Sequence, residues 1–200
     1  LIITVFFSCS KKEHAETAII DEITGEVFVI KKGIKQKAIK GMKLYEGDEI
    51  ITGKKSFVEI SYRKNKIKLY EKSKLSINKL KFDPKTEENN SEFFLSEGRV
   101  FIDSSENTKQ KNRLTIISPD SSAESSDSKF FVNNTNGETR IESKKGNVDT
   151  ISTKTGKKIN ILTGQKISVS KNLILQKPVK KIVPSEFSAV KPGVEVPKVK

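Results

Sequence analysis

The sequence predicts an all-β fold, a β-solenoid-like or twisted β-sandwich arrangement of many short strands, on three observations. Eleven Phe and three Tyr, with no Trp and abundant Ile and Val, favour pleated, half-buried surfaces, because β-branched and aromatic side chains pack well on strands. Apolar residues come in short alternating runs punctuated by Gly, Asn and Lys-rich turns, and no 3.6-residue apolar period is sustained long enough for a helix. A small unit also recurs: Leu95 to Ile102 around Gly98, Ile141 to Ile151 around Gly146, and Leu162 to Val169 around Gly164. In each, an apolar residue leads through a polar Gly turn to a β-branched strand, as in stacked strand-and-turn architectures. With 200 residues and 34% hydrophobic content, the chain can bury one ordinary core, so a single domain with tails is expected.

Residues 1–9 open on the apolar run Leu1 to Phe7, which stops at Ser8-Cys9 before a polar stretch. Seven residues cannot span a bilayer, which takes ~20 in a helix. The run reads as the h-region of a secretory signal ending in a small residue, in a chain expected to be truncated at its start. Cys9 is the only cysteine, so no disulfide framework is possible within the chain. Residues 10–22 then read as a polar tether. It holds the only histidine, His14, with no second His or Cys to complete a metal set.

The β domain is expected over residues 23–170. Val27 to Ile30 leads to Gly33, Ile34 to Ile39 leads to Gly41, and Leu44 leads through Gly47-Asp48 to Ile50-Ile51 and Gly53. Phe57, Ile60 and Tyr62 precede Lys64-Asn65-Lys66, where Asn65 can take the positive φ of a tight hairpin turn. Ile67, Leu69, Leu75 and Ile77 complete the first half. Phe82 to Ser91 lacks apolar periodicity and reads as a surface loop, and a second half begins at Phe93. The serine-rich stretch Ser118 to Ser128 also reads as an exposed loop. From Lys171 the chain carries Pro178, Pro184, Pro192 and Pro197 among seven Lys and two Glu, which predicts an extended or disordered tail over residues 171–200.

These residues resemble two known patterns. Ser8 before Cys9, with Phe6 three residues before it, resembles a bacterial lipoprotein lipobox, which implies diacylglycerol on the Cys9 sulfur. Two or three acyl chains hold a protein stably, at ~0.8 kcal/mol per buried CH₂. In the body, Gly41, Leu44, Gly47, Asp48, Ile50, Thr52 and Gly53 resemble the G-x-x-L-x-x-G-D-x-I-x-T-G pattern of the FecR domain, the periplasmic module of bacterial iron-uptake signalling proteins. Asn65 stands where that family often turns on Asp-Gly, and Gly98 and Val100 where it places Gly-x-Val. Pro119, Phe130 and Val132 match the later signature, although Ser125 to Ser128 replaces its Val-Arg-Gly-Thr and Asp127 stands at the Gly. Gly146 and Gly164 resume the ending, so the resemblance covers about residues 24–170. It implies a noncatalytic all-β domain that relays or receives protein contacts. Full regulators of this family also carry a cytoplasmic anti-sigma segment and a transmembrane helix, and a complete signalling role is not expected of this chain alone.

Composition and motifs narrow the chemistry. The formal charge is +13, yet 34 of 38 basic residues are Lys and only Arg63, Arg99, Arg113 and Arg140 are Arg. Bidentate phosphate and base contacts favour Arg, so a solvated lysine surface is expected and no nucleic-acid partner. No G-x-S-x-G elbow, phosphate loop or metal set is present. That predicts no enzyme, no cofactor and no metal; carboxylates such as Asp48, Asp120 and Asp127 are the residual route to a carbohydrate-active enzyme. The function expected is a membrane-anchored envelope lipoprotein, on the periplasmic face or the cell surface, that binds an envelope protein or a wall polymer. A surface-exposed structural or adhesive lipoprotein is the alternative.

Overall fold

A computed structural model describes residues 15–105, 112–170 and 179–180. The described residues are all β, with no helix among them, and form seventeen strands. None of them therefore offers a helix long and apolar enough to cross a membrane.

The first half contains β1 (Ala18–Thr24), β2 (Val27–Lys31), β3 (Ile34–Lys37), β4 (Lys43–Leu44), β5 (Glu49–Thr52), β6 (Phe57–Tyr62), β7 (Asn65–Leu69) and β8 (Lys74–Asp83). The long β9 (Glu88–Asp103) follows. The second half contains β10 (Asn112–Ile117), β11 (Ser121–Ser125), β12 (Lys129–Thr135), β13 (Glu138–Lys145), β14 (Val148–Ser152), β15 (Lys158–Ile161), β16 (Gln165–Ser170) and β17 (Val179–Lys180).

The pairings resolve these into two sheets. One, sheet A, runs β4-β1-β6-β7-β9-β12-β13-β16-β17. The other, sheet B, runs β3-β2-β5-β8-β9-β10-β11-β14-β15, with β9 and β10 parallel and the other pairs antiparallel. Neither sheet closes on itself. The chain passes from sheet to sheet every one or two strands, which produces the repeated strand-and-turn look of the sequence while building a twisted sandwich.

Alternation makes the core. Along β6 and β7, Val58, Ile60, Tyr62, Ile67 and Leu69 are buried while their neighbours face out, and β5, β8 and β10 repeat this from the opposing sheet. Side chains at every second position share one face of a strand, so both sheets feed one apolar cluster. Within it sits a polar rung. The Asn112 amide donates to Asn65 Oδ1 (3.0 Å), and Asn89 Nδ2 donates to Asn112 Oδ1 (2.8 Å). These bonds tie β7 of sheet A to β9 and β10 of sheet B, since buried amides are tolerated only when paired.

Four expectations change. β1 begins at Ala18, with Ala18 and Ile20 fully buried, so the domain reaches into the stretch read as a tether over residues 10–22. Phe82 to Ser91 is the end of one strand, a short turn and the start of another; Asn89 and Ser91 are buried, and inward-facing polar residues erased the apolar period. Ser118 to Ser128 holds β11 and is mostly buried for the same reason: Ser118, Ser121, Ser125 and Ser128 bond to one another and to the backbone. The positive φ of the β6–β7 hairpin falls on Arg63 (φ 56°) and not on Asn65, which is committed to the amide rung. Within the segment read as a tail, Val179 and Lys180 pair with Lys166 and Gln165 of β16, and the rest of residues 171–200 lies outside the described residues. Cys9, the lipobox and His14 lie outside the described residues.

Candidate functional site

The Gly-Asp signature proves to be a set of locks between strands. Asp48, 6% exposed, accepts the Tyr45 amide (3.0 Å) and the Lys31 ammonium (2.9 Å) on Oδ2. Its backbone carbonyl takes the Ile77 amide, and the Gly47 amide returns to the Ile77 carbonyl. Leu44 and Ile50 on either side are fully buried. Thr52 Oγ1 donates to the Tyr70 carbonyl (2.5 Å) and accepts the Ser73 amide (3.0 Å), while the Gly53 amide donates to the Glu26 carbonyl. The Gly41 amide reaches the Ile20 carbonyl and the Gly164 amide the Ser143 carbonyl. Gly41, Gly47, Asp48, Thr52, Gly53 and Gly164 thus pair backbone groups that strand ends would leave unpaired, while Leu44 and Ile50 fill the core between them.

The later signature is structural as well. Phe130 and Val132 on β12 are buried, and the Pro119 carbonyl accepts the Thr153 hydroxyl (3.0 Å). Gly146 takes φ 74°, and a Cβ there would lie 2.3 Å from the Asp127 carbonyl oxygen, so the β13–β14 turn packs directly on the chain entering β12. Asp127 is exposed and is not among the residues with positive φ; the left-handed position lies at Gly146 across the turn.

The carboxylates do not assemble. Asp48 precedes β5 in the first half, Asp120 precedes β11 in the second, and Asp127 is exposed before β12. Asp48 is engaged with Lys31. Asp120 is buried with Oδ2 unpartnered, but its carbonyl, which accepts the Thr153 amide, belongs to the turn locked by Pro119. No group of three His, Cys, Asp or Glu side chains suited to a metal occurs among the described residues. A groove of about 630 Å³ beside Tyr45, Leu80 and Phe82 is walled by Glu16, Glu46, Lys79 and Lys81. Three of these are already engaged: Glu46 accepts the Leu80 amide, Glu16 holds Arg63 and Lys79 pairs with Glu92. Beside this groove the Tyr62 hydroxyl is held well above its usual range, first by burial and then by the Glu16 carboxylate.

What the fold assembles, and linear reading missed, is a patch on the outer face of sheet A. Phe101 on β9 pairs across with Phe131 on β12, their ring centroids 4.7 Å apart, and Tyr70 stands 6.1 Å from Phe131. The exposed Arg99 guanidinium lies 4.1 Å from the Phe131 centroid and 5.2 Å from that of Tyr70. It makes no ion pair with a described carboxylate. Lys68 caps Phe57 at 4.0 Å and is held above its ordinary pKa by its hydrogen bond to Glu59. Half-exposed rings carrying an exposed guanidinium suit recognition, since aromatic residues and Arg supply much of the energy at interfaces. Only the cross-strand register brings residues 70, 99, 101 and 131 together; their alternation with the buried Leu69, Val100, Ile102, Phe130 and Val132 was the available signal that they face outward.

A family model described as FecR protein matches residues 48–149. Two crystal structures of a protein assigned as an anti-sigma factor from Parabacteroides distasonis ATCC 8503 are similar at 12% identity and a TM-score of 0.49. The alignment covers 64% of this chain and 57% of that one. That similarity is weak, and the family assignment does not rest on it. No curated protein matches the chain. Because the FecR match takes in just over half of the residues, from Asp48 through β9 to the strand of Phe130 and Val132, with Gly41, Leu44 and Gly47 lying just before it, the chain belongs to the FecR family.

Proposed function

We propose that this protein is an envelope lipoprotein, anchored through lipid on Cys9, whose noncatalytic FecR domain binds another envelope protein or a wall polymer in envelope signalling. The observation that carries the binding role is the Tyr70-Phe101-Phe131 patch with the Arg99 guanidinium over it, which has no ion pair among the described residues. The anchor rests on the sequence around Cys9, and the signalling context on membership of a family of regulators. A short span from Cys9 to β1 would hold the sandwich near the bilayer, since eight intervening residues reach at most about 30 Å. Binding there needs no nucleophile, base or metal.

Photo-cross-linking in intact envelopes tests both parts. With a photoreactive phenylalanine in place of Phe131, a discrete adduct is expected, weakened at least tenfold by Arg99→Ala, a loss of about 1.4 kcal/mol. Cys9→Ser should shift the protein from the membrane fraction to the soluble one. An adduct pattern indifferent to Arg99 would refute the patch, and membrane retention of Cys9→Ser would refute the anchor.

A further inference from the structure

The open edge of sheet B has the makings of a second recognition element. β3 is the outermost strand, paired only with β2, and all four of its residues are exposed. The β2–β3 hairpin fixes which backbone groups look outward. Ala38 donates its amide to the Val27 carbonyl (2.9 Å), which makes that pair hydrogen-bonded. Antiparallel pairs alternate between bonded and non-bonded, so the Val29–Gln36 and Lys31–Ile34 pairs are bonded too. Lys35 and Lys37, opposite Ile30 and Phe28, fall at the non-bonded positions. Their N–H and C=O groups point away from the sheet, and no described strand lies beyond them.

The side chains on this edge divide by face. Lys35 and Lys37 share the outer face with Phe28, and the Lys35 ammonium rests 4.0 Å from the Phe28 ring centroid. Ile34 shares the core-side face with the buried Val29 yet is 71% exposed, and Ile39 just beyond the strand is 64% exposed. Neither Lys35 nor Lys37 has an ion pair among the described residues. An edge strand bearing lysines resists joining its own kind. The short strand β4 that ends sheet A carries lysine as well, at Lys43, so joining this edge to another of its kind sets like charges together.

We propose that β3 is a docking edge for an acidic, extended polypeptide segment of another protein, which adds as a further strand to sheet B. Its backbone would bond to Lys35 and Lys37. Carboxylates at alternate positions would meet those two lysines on the outer face, and apolar residues between them would cover Ile34. Backbone bonds supply affinity in such strand addition, and alternate side chains supply specificity. This inference deepens the reading of the domain as a binding module and rests on it.

The test uses the 200-residue chain and a short capped peptide alternating glutamate and valine, followed by amide hydrogen exchange. Saturating peptide is expected to slow exchange at Lys35 and Lys37 by about tenfold or more, with the effect falling as salt is raised. The double variant Lys35→Glu/Lys37→Glu should lose the protection. Lys37→Pro should lose it as well while leaving the fold intact, because proline is tolerated where an edge N–H faces solvent. Protection that is absent, or that is given equally by a peptide N-methylated at alternate residues or by dextran sulfate, would overturn the inference: a strand, not a diffuse anion, is required. Wild-type levels of an envelope adduct in the Lys35→Glu/Lys37→Glu variant, with no peptide protection in the wild type, would overturn this edge and leave the module reading standing. Peptide protection without any envelope adduct would support the edge and count against the module reading.

Discussion

A Cβ placed on residue 98 would sit 2.1 Å from Ser73 Oγ and 2.5 Å from Ser73 Cα, at a backbone φ of 93°. Both the contact and the torsion forbid an ordinary side chain, because the left-handed region alone costs a residue with a Cβ roughly 1–2 kcal/mol and a close backbone approach adds overpacking. The approach has a purpose: Ser73 Oγ accepts the Arg99 amide (2.9 Å) where β9 bends. Gly98→Ala is therefore expected to destabilise the protein by about 3 kcal/mol, read as a lowered urea midpoint; a shift below about 0.5 kcal/mol would show that the bend relaxes freely. Single residues of this kind are legible in the sequence itself. Gly47-Asp48 and Gly53 announce themselves because turn chemistry is local, and the fold gives them local jobs. Arg99 is not legible there as part of a patch, since its ring partners Tyr70 and Phe131 lie 29 and 32 positions away in the chain and meet only through strand register.

At the level of elements, the strands that sequence reading found are those with an apolar inner face, such as β2, β6 and β7. Those it lost turn serine or asparagine inward. β11 buries Ser121 and Ser125, and the start of β9 buries Asn89 and Ser91, so the period of two persists in the burial and vanishes in hydropathy. Strand pairs are also stitched on the outer face by charge. Asp103 at the end of β9 meets the Lys129 ammonium of β12 at 2.7 Å and accepts the Ser105 amide and hydroxyl. Partial burial pushes the Asp103 carboxyl up, but the bonds from Lys129 and Ser105 outweigh it and hold the group below the usual carboxylate range. A carboxyl with a depressed folded pKa adds stability that is complete above its unfolded value, near ~3.9, and is lost as pH falls through the folded value. Asp103→Asn should accordingly cost ~0.5–1 kcal/mol at neutral pH, scaled to a half-exposed pair. Its stability curve should also fall less steeply below about pH 4 than that of the wild type. Urea midpoints from pH 3 to 7 provide the check, and parallel curves for the two proteins would show that the pair contributes nothing to acid sensitivity.

Across the whole molecule, β9 is the hinge of the architecture. Its first part pairs with β8 and β10 in sheet B, and past Gly98 it pairs with β7 and β12 in sheet A. Among the described strands the ladders of the first and second halves meet only on this one. The all-β class follows from composition and alternation, whereas this shared strand does not, because Leu95 to Val100 reads locally as a strand, a Gly turn and another strand. In the fold the glycine bends a continuous strand from one sheet into the other. A defect in β9 should therefore weaken both halves together. Leu95 is fully buried, and Leu95→Ala is expected to cost about 3 kcal/mol. Native-state hydrogen exchange resolves where that cost falls. If the sandwich opens as one cooperative unit, the slowest amides of β6 and β7 and those of β13 and β14 lose the same protection, matching the global loss measured by denaturant. If the halves are separate units joined at a seam, one flank keeps its protection while the other yields, and β9 would then belong energetically to the flank that moved.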